Sequence, residues 1–364
     1  MSQPLSLEQR IGQLLFIGLP GASIDDTARQ LLEIVQPGGV ILFARNIESA
    51  TQVAQMNAEI RSLIKVPPFI SIDQEGGRVD RLRAIFPPMP SAQAIRASGD
   101  ASLAGRHGEI TAEVLRLLGF NMNFAPVLDL AYDEAAVNAR DRRCFGSTPA
   151  EVIRIAGAYL EGLQNNGIIG CGKHFPGMGA AIADPHKDLP VVTRSRERLI
   201  REDLLPYRDL FTRMSTRLHV VMVSHCVYTA LDRDGAPASL SPNVVTRLLR
   251  EELGFHGTAI TDDLEMGAIA TTHGFDQVIL KAVEAGEDML LICRRPELII
   301  AAFETLVRAV RDGRISHKRI ERSIDHIVDA KSIISSPAPF NQSALNRLAE
   351  RVAEISYQLQ PFAE

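Results

Sequence analysis

Asp184-Pro185-His186 sets a carboxylate and an imidazole two residues apart within the run KHFPGMGAAIADPHKDLP, Lys173 to Pro190. Pro and Gly break this run too often for a helix, and its polarity is too high for a core strand, so it reads as a loop. A histidine titrates near neutrality and can both give and take a proton. An Asp two positions away can bind one ring nitrogen and fix the other for chemistry. Pro185 holds its own φ at about −65° and biases Asp184 toward an extended shape. That suits a held pair, although a plain solvated turn would use the same residues.

A second candidate is Asp262-Asp263, directly after the apolar run Thr258-Ala259-Ile260-Thr261. An Asp there can cap a following helix, which suits Asp263 better. It can also be a nucleophile or base delivered from a strand end. Lys173-His174 is open to two readings, ligand contact or solvated strand edge. Gly76-Gly77 in DQEGGR would fit a phosphate cradle, but neither GxxxxGK[ST] nor GxGxxG follows a strand, so no nucleotide cofactor is expected. His225 and Cys226 lack HExxH or any paired ligand spacing, so no metal is expected either.

These residues need elements to position them. Short runs rich in Val, Ile, Leu and Phe at 39–43, 69–72, 122–124, 168–171, 220–223, 258–261 and 289–292 read as strands buried on both faces. Amphipathic helices are predicted at 24–35, 49–64, 104–118, 149–165, 203–212, 242–253, 275–285 and 296–312. The alternation implies parallel strands with crossover helices, in seven or eight units. That number suggests a (β/α)8 TIM-type barrel, with a doubly wound sheet as the alternative because periodicity does not show closure. Residues 1–335 are expected to form the catalytic barrel. Residues 336–364, with prolines around one helical stretch, are expected to pack on it as a tail and not as a separate domain. The polar segments SIDQEGGR, NFAPVLDL, GKHFPG, SHC and DDLEMG all follow or extend strand candidates, and in a barrel those ends form one rim.

Composition sets the outer limits. The 364 residues are 46% hydrophobic, ample for a large core, and the net charge of −5 weighs against nucleic acid or an anionic membrane as partner. The run Leu14-Leu15-Phe16-Ile17 is too short for a signal core or a span. Four cysteines lie far apart, as expected of reduced, buried thiols in a cytoplasmic protein.

Taken in order, IDQEGGRVDRL, NFAPVLDL, KHFPGMG with DPH, MVSHCVY, PASLSPNVVTRLLREELGF and TDDLEMGAI resemble glycoside hydrolase family 3, over roughly residues 11–333. The likeness is nearest to its single-domain β-N-acetylglucosaminidases. The resemblance implies a barrel, sometimes irregular in its first strands. It implies that Asp262 is the nucleophile, that His186 is the general acid/base, and that Asp184 is the partner of His186. Asp73 and Arg81 match sugar-binding positions, as do Lys173 and His174. Arg143 matches the arginine of an R-S-F segment, with Cys144 in place of Ser. Met178 stands where His is frequent and Pro185 where Ser or Thr is usual, so sugar preference and the loop's behaviour are where this chain should differ. Gly177-Met178-Gly179 reads as a pivot into the loop.

The activity implied is retaining, exo-acting release of terminal GlcNAc from peptidoglycan fragments in the cytoplasm. The partner would be a small GlcNAc-containing muropeptide and the default state a monomer. A glucosidase or xylosidase, a phosphorylase in which phosphate replaces water, and an inactive sugar-binding relative are the alternatives.

Overall fold

In the computed structural model, residues 5–181, 189–213, 217–266, 269 and 274–362 are described. Asp184, Pro185 and His186 lie outside them.

Eight parallel strands close into a barrel. They are β1 (Leu15–Gly18), β2 (Gly39–Leu42), β3 (Phe69–Ile72), β4 (Met122–Asn123), β5 (Ile169–Phe175), β6 (Val220–Val223), β7 (Thr258–Asp263) and β8 (Met289–Ile292). Each pairs with its sequence neighbours, and β1 closes on β8 with Leu15 opposite Leu290. Closure removes the doubly wound alternative. Helices follow strands as the alternation predicts. For example, Ala50–Leu63 starts at Ser49 in a reciprocal capping arrangement with Gln52, and Pro149–Asn165 starts at Thr148 with Glu151.

Inside the barrel, Phe16, Phe69 and Phe124 pack together, with ring centroids 6.3 Å apart for Phe16 and Phe69 and 5.1 Å for Phe16 and Phe124, and Phe124 also lines the cavity described below. Each ring is fully buried, and such burial is worth roughly 2–3 kcal/mol per side chain. The barrel interior is therefore a packed core, and the rim is left for ligands.

Three expectations are corrected. The eighth strand is Leu15–Gly18, the run considered only as a membrane or signal segment. It follows the helix Leu7–Gln13 after a single residue, so no turn signal separates the two. The first three strands pair in continuous register. The irregularities lie instead in β5, between Lys173 and Phe175, and in β7, between Ile260 and Asp263. Bulges of this kind re-aim side chains, and both occur where the rim carries its polar groups. Finally, β5 and β7 run further than their apolar cores, so Lys173, His174, Asp262 and Asp263 are strand residues and not loop residues. Strand geometry places such side chains more rigidly than a loop would.

The C-terminal helix Gln342–Leu359 buries Leu345, Leu348, Val352, Ile355 and Leu359. Arg351 on it reaches Glu109 and Glu113 of the helix Ala101–Leu117, at 2.7 and 2.6 Å.

Candidate active site

Asp262 ends β7 at the rim. Its Oδ1 accepts the Asp263 N–H at 2.8 Å. Burial pushes this carboxyl up, but the His225 and His174 rings, the Asp263 N–H and the Lys173 ammonium together hold it below the usual carboxylate value. It is thus ionised at neutral pH. His225 braces this strand end from β6. Its Nε2 lies 3.0 Å from the Asp263 carbonyl oxygen, which can only accept, so Nε2 carries the hydrogen. Nδ1 then accepts from the Ser239 hydroxyl at 2.8 Å. With both nitrogens engaged, His225 has none left for zinc. Asp263 behaves oppositely to its neighbour. Burial, together with Glu265 and Asp262, pushes its carboxyl up to about 6 against the Glu265 N–H. That N–H donates to Asp263 Oδ1 at 3.1 Å, a local turn contact two residues on.

Across the mouth, Lys173 Nζ lies 2.7 Å from both Asp73 Oδ1 and Glu75 Oε1. Arg143 grips Glu75 with two parallel bonds of 2.8 Å, the strong geometry for a guanidinium and a carboxylate. Burial would raise the Glu75 carboxyl, but Arg143 and Lys173 hold it well below the usual range. Burial lowers the Lys173 ammonium while Asp73 and Glu75 raise it, and the net direction is upward. Arg81 Nη2 stands 3.6 Å from Asp73 Oδ2. Arg143 also donates to Asn138 Oδ1, and Asn138 Nδ2 donates to Asp129 Oδ2 at 2.7 Å. Asp129, fully buried, accepts from His174 through Nδ1 at 2.8 Å and backbone N–H at 3.2 Å, and from the Met178 N–H at 2.7 Å. Burial raises the Asp129 carboxyl, and His174 with these N–H groups pulls it below the usual value. One chain of hydrogen bonds and ion pairs therefore runs from Asp73 to His174, and a carboxylate on Nδ1 leaves Nε2 as the ring nitrogen for a ligand.

The segment bearing Asp73 and Arg81 is fixed by a small antiparallel hairpin, Gln74–Gly76 with Val79–Asp80. Gln74 Oε1 accepts the Arg81 N–H at 2.9 Å and its Nε2 donates to Asp80 Oδ1 at 2.8 Å. Gly76 has φ of 88°, and a Cβ there would lie 2.2 Å from the Pro90 carbonyl oxygen. The Gly-Gly pair thus serves a tight turn and not a phosphate cradle.

These side chains line a cavity of about 420 Å³, large enough for a monosaccharide. The structure brings Asp73, Arg81, Arg143, Lys173, His174 and Asp262 together on its wall. Asp184 and His186 fall outside the described residues. Met178 also lines the cavity, and its N–H is tied to Asp129. Sequence reasoning missed Glu75, Asp129, Asn138 and the bracing role of His225. Asp129 had a usable signal, because a charge inside the apolar run NFAPVLDL must be paired if buried. Glu75 offered only its place beside Asp73.

Such a site, one ionised carboxylate facing a pocket of bonded acids and cations, suits a neutral polyhydroxyl ligand attacked at carbon. The sequence pattern described as the glycosyl hydrolase family 3 N terminal domain matches residues 6–330. A β-hexosaminidase of Thiobacillus denitrificans is 38% identical over 290 residues, covering 78% of this chain and 79% of that protein. The family 3 β-N-acetylglucosaminidase of a Paenibacillus species superposes with a TM-score of 0.88 at 38% identity, over 97% of this chain and 69% of the other. A β-N-acetylhexosaminidase of Beutenbergia cavernae gives a TM-score of 0.83 at 26% identity, over 91% of this chain and all of the other. Domain match, sequence identity and barrel geometry agree, and the chain belongs to glycosyl hydrolase family 3.

Proposed function

We propose that this glycoside hydrolase is a retaining exo-β-N-acetylglucosaminidase that removes terminal GlcNAc from peptidoglycan fragments in the cytoplasm. The observation that carries the reading is Asp262, ionised at a strand end on the cavity wall, with the Asp263 N–H as its hydrogen-bond donor among the described residues. The names borne by its relatives support the sugar. In the first step a carboxylate oxygen of Asp262 attacks the anomeric carbon, forming a glycosyl ester as the bond to the leaving oxygen breaks. His186 gives that oxygen its proton. In the second step His186, now neutral, takes a proton from water, whose oxygen attacks the same carbon and releases the Asp262 carboxylate. Two inversions return the β configuration. An imidazole already titrates near neutrality, so it needs less tuning than a carboxylic acid would. Asp184 would orient the ring. Asp73, Arg81, Lys173, Arg143 and His174 would bind hydroxyls and the acetamido group. In this reading residues 1–335 are the catalytic unit and 336–364 a buttress.

The test is one panel of para-nitrophenyl β-GlcNAc, β-glucoside and β-xyloside, with and without phosphate, on wild type and His186→Ala. The reading expects β-GlcNAc to be preferred without phosphate, and the variant to lose far more on poor leaving groups than on activated ones. A glucoside preference would replace the sugar assignment. Equal losses on all leaving groups would remove the acid role.

A further inference from the structure

Residues 182–188, which include Asp184 and His186, join two stems, and both stems meet one buried carboxylate. Asp203 is 1% exposed. It closes the helical turn Leu199–Asp203 and lies outside the cavity lining. On the entry stem, a Cβ on Gly177 would lie 2.8 Å from the Asp203 Cβ and 3.1 Å from Oδ1, so the Asp203 side chain rests on the glycine backbone. The next residue, Met178, is held by Asp129. A Cβ on Gly179 would lie 2.9 Å from the Tyr132 ring. Tyr132 in turn donates its hydroxyl to Asp203 Oδ1 at 3.3 Å.

On the exit stem, the Arg194 guanidinium stacks 4.0 Å from the Tyr132 ring centre and its Nε lies 3.4 Å from Asp203 Oδ2. Arg194 also pairs with Glu202. That Nε contact is not aligned as a hydrogen bond, and Asp203 Oδ2 has no donor among the described residues. Val191–Val192 and the Pro190 carbonyl are pinned to Val227–Tyr228, and the Tyr228 hydroxyl donates to the Gly177 carbonyl at 2.9 Å. The two ends of the segment are thus tied to one another through Asp203, Tyr132 and Arg194.

A plain core position would hold an apolar residue, because a buried carboxylate with an unfilled lone pair is costly. Burial pushes the Asp203 carboxyl up to about 7 despite Arg194 and Tyr132, with Asp129 and Glu202 adding to the push.

We propose that Asp203, with Tyr132 and Arg194, is a positioning unit for the acid/base: it locks to each other the two stems that flank the segment carrying His186. The proposal rests on the assignment of His186 above. The test uses the full chain carrying Asp203→Asn, with His186→Ala as reference and Gly177→Ala as a second disturbance of the same contact. kcat/KM is measured for aryl β-GlcNAc substrates of graded leaving-group acidity, and kcat on the activated substrate with and without azide. Azide attacks the anomeric carbon of the glycosyl-enzyme, forms the C–N bond and releases the Asp262 carboxylate with no proton to remove.

Asp203→Asn is expected to lose roughly tenfold or more on the poorest leaving groups and little on an activated dinitrophenyl glycoside. On the activated substrate, where breakdown of the glycosyl-enzyme limits kcat, azide should raise the kcat of Asp203→Asn and give the β-glycosyl azide, and Gly177→Ala should steepen the same leaving-group dependence of kcat/KM. Retained turnover of the activated substrate shows that each variant is folded. A loss equal on every substrate, or none, overturns the proposal if His186→Ala still shows the dependence. If His186→Ala shows none, the acid/base assignment fails and this proposal falls with it.

Discussion

Asp262 and Asp288 are acids on neighbouring strands at opposite ends of the barrel. Asp262 ends β7 at the open rim, and Asp288 directly precedes β8 at the closed end. In both, burial pushes the carboxyl up and nearby positive groups bring it below the usual value. Their ionisation is therefore alike, and their saturation is not. Asp288 accepts from the Ala259 N–H and the Ser323 hydroxyl at 3.0 Å, from His326 at 3.1 Å and from Arg250, with Arg319 at 3.9 Å. Among the described residues, Asp262 accepts the Asp263 N–H at 2.8 Å and otherwise feels its cations from a distance. A depressed carboxyl alone does not mark chemistry, because structural ion pairs produce it too. Lone pairs left for a ligand do mark it.

The pair of Asn substitutions breaks this comparison most sharply. Asp262→Asn is expected to lower kcat on the order of 10⁴-fold or more for every leaving group, with thermal stability retained. Asp288→Asn is expected to leave kcat close to wild type and to cost about 3–5 kcal/mol, because Arg250 and His326 lose a buried partner. Aryl-glycoside kinetics and denaturant unfolding on both proteins check the pair. If Asp262→Asn stays active, or Asp288→Asn loses kcat without losing stability, saturation is not what separates the two acids.

Glu75 lies between the extremes, since it is saturated yet at the rim. Its carboxylate holds Arg143 and Lys173 in place for the cavity. Glu75→Gln leaves the Arg143 fork half paired and shifts Lys173 toward Asp73. A rise in KM of roughly tenfold to a hundredfold is expected, uniform across leaving groups, with kcat changed far less. An unchanged KM would show that the network holds the fold and not the sugar contacts.

The fold was legible wherever a strand was an isolated apolar run, because burial on both faces leaves little room for polar residues. It was not legible at Leu15–Gly18, where the strand's apolar run adjoins that of the preceding helix. Asp262 and Lys173 could be found because each directly extends such a run. Glu75 could not. Its partners Arg143 and Lys173 are 68 and 98 positions away (143 − 75 and 173 − 75), and only barrel closure brings them together. The same holds for Asp203, which sits outside every recognised motif and gains meaning only from the stems packed on it.

The smallest expected effect sets the two ends against each other in pH. Asp263, beside Asp262, has its carboxyl raised from 3.8 to about 6, chiefly by burial. The folded state therefore holds this proton more tightly than the unfolded chain. Its stabilising share is complete below about pH 3.8 and is lost as pH rises through about 6. Asp288 has the opposite sign: its contribution is present above the ordinary Asp value and is lost as pH falls through the depressed one. A rise from 3.8 to about 6 would be equivalent to ~3 kcal/mol in a dry site, and at this solvent-open rim to roughly 1–2 kcal/mol. Asp263→Asn keeps an acceptor for the Glu265 N–H and removes the charge. Thermal unfolding between pH 4 and pH 8 should then show no advantage for the variant at pH 4 and a gain of a few degrees by pH 7. Two parallel curves would mean that Asp263 does not change its protonation across this range and does not couple folding to pH.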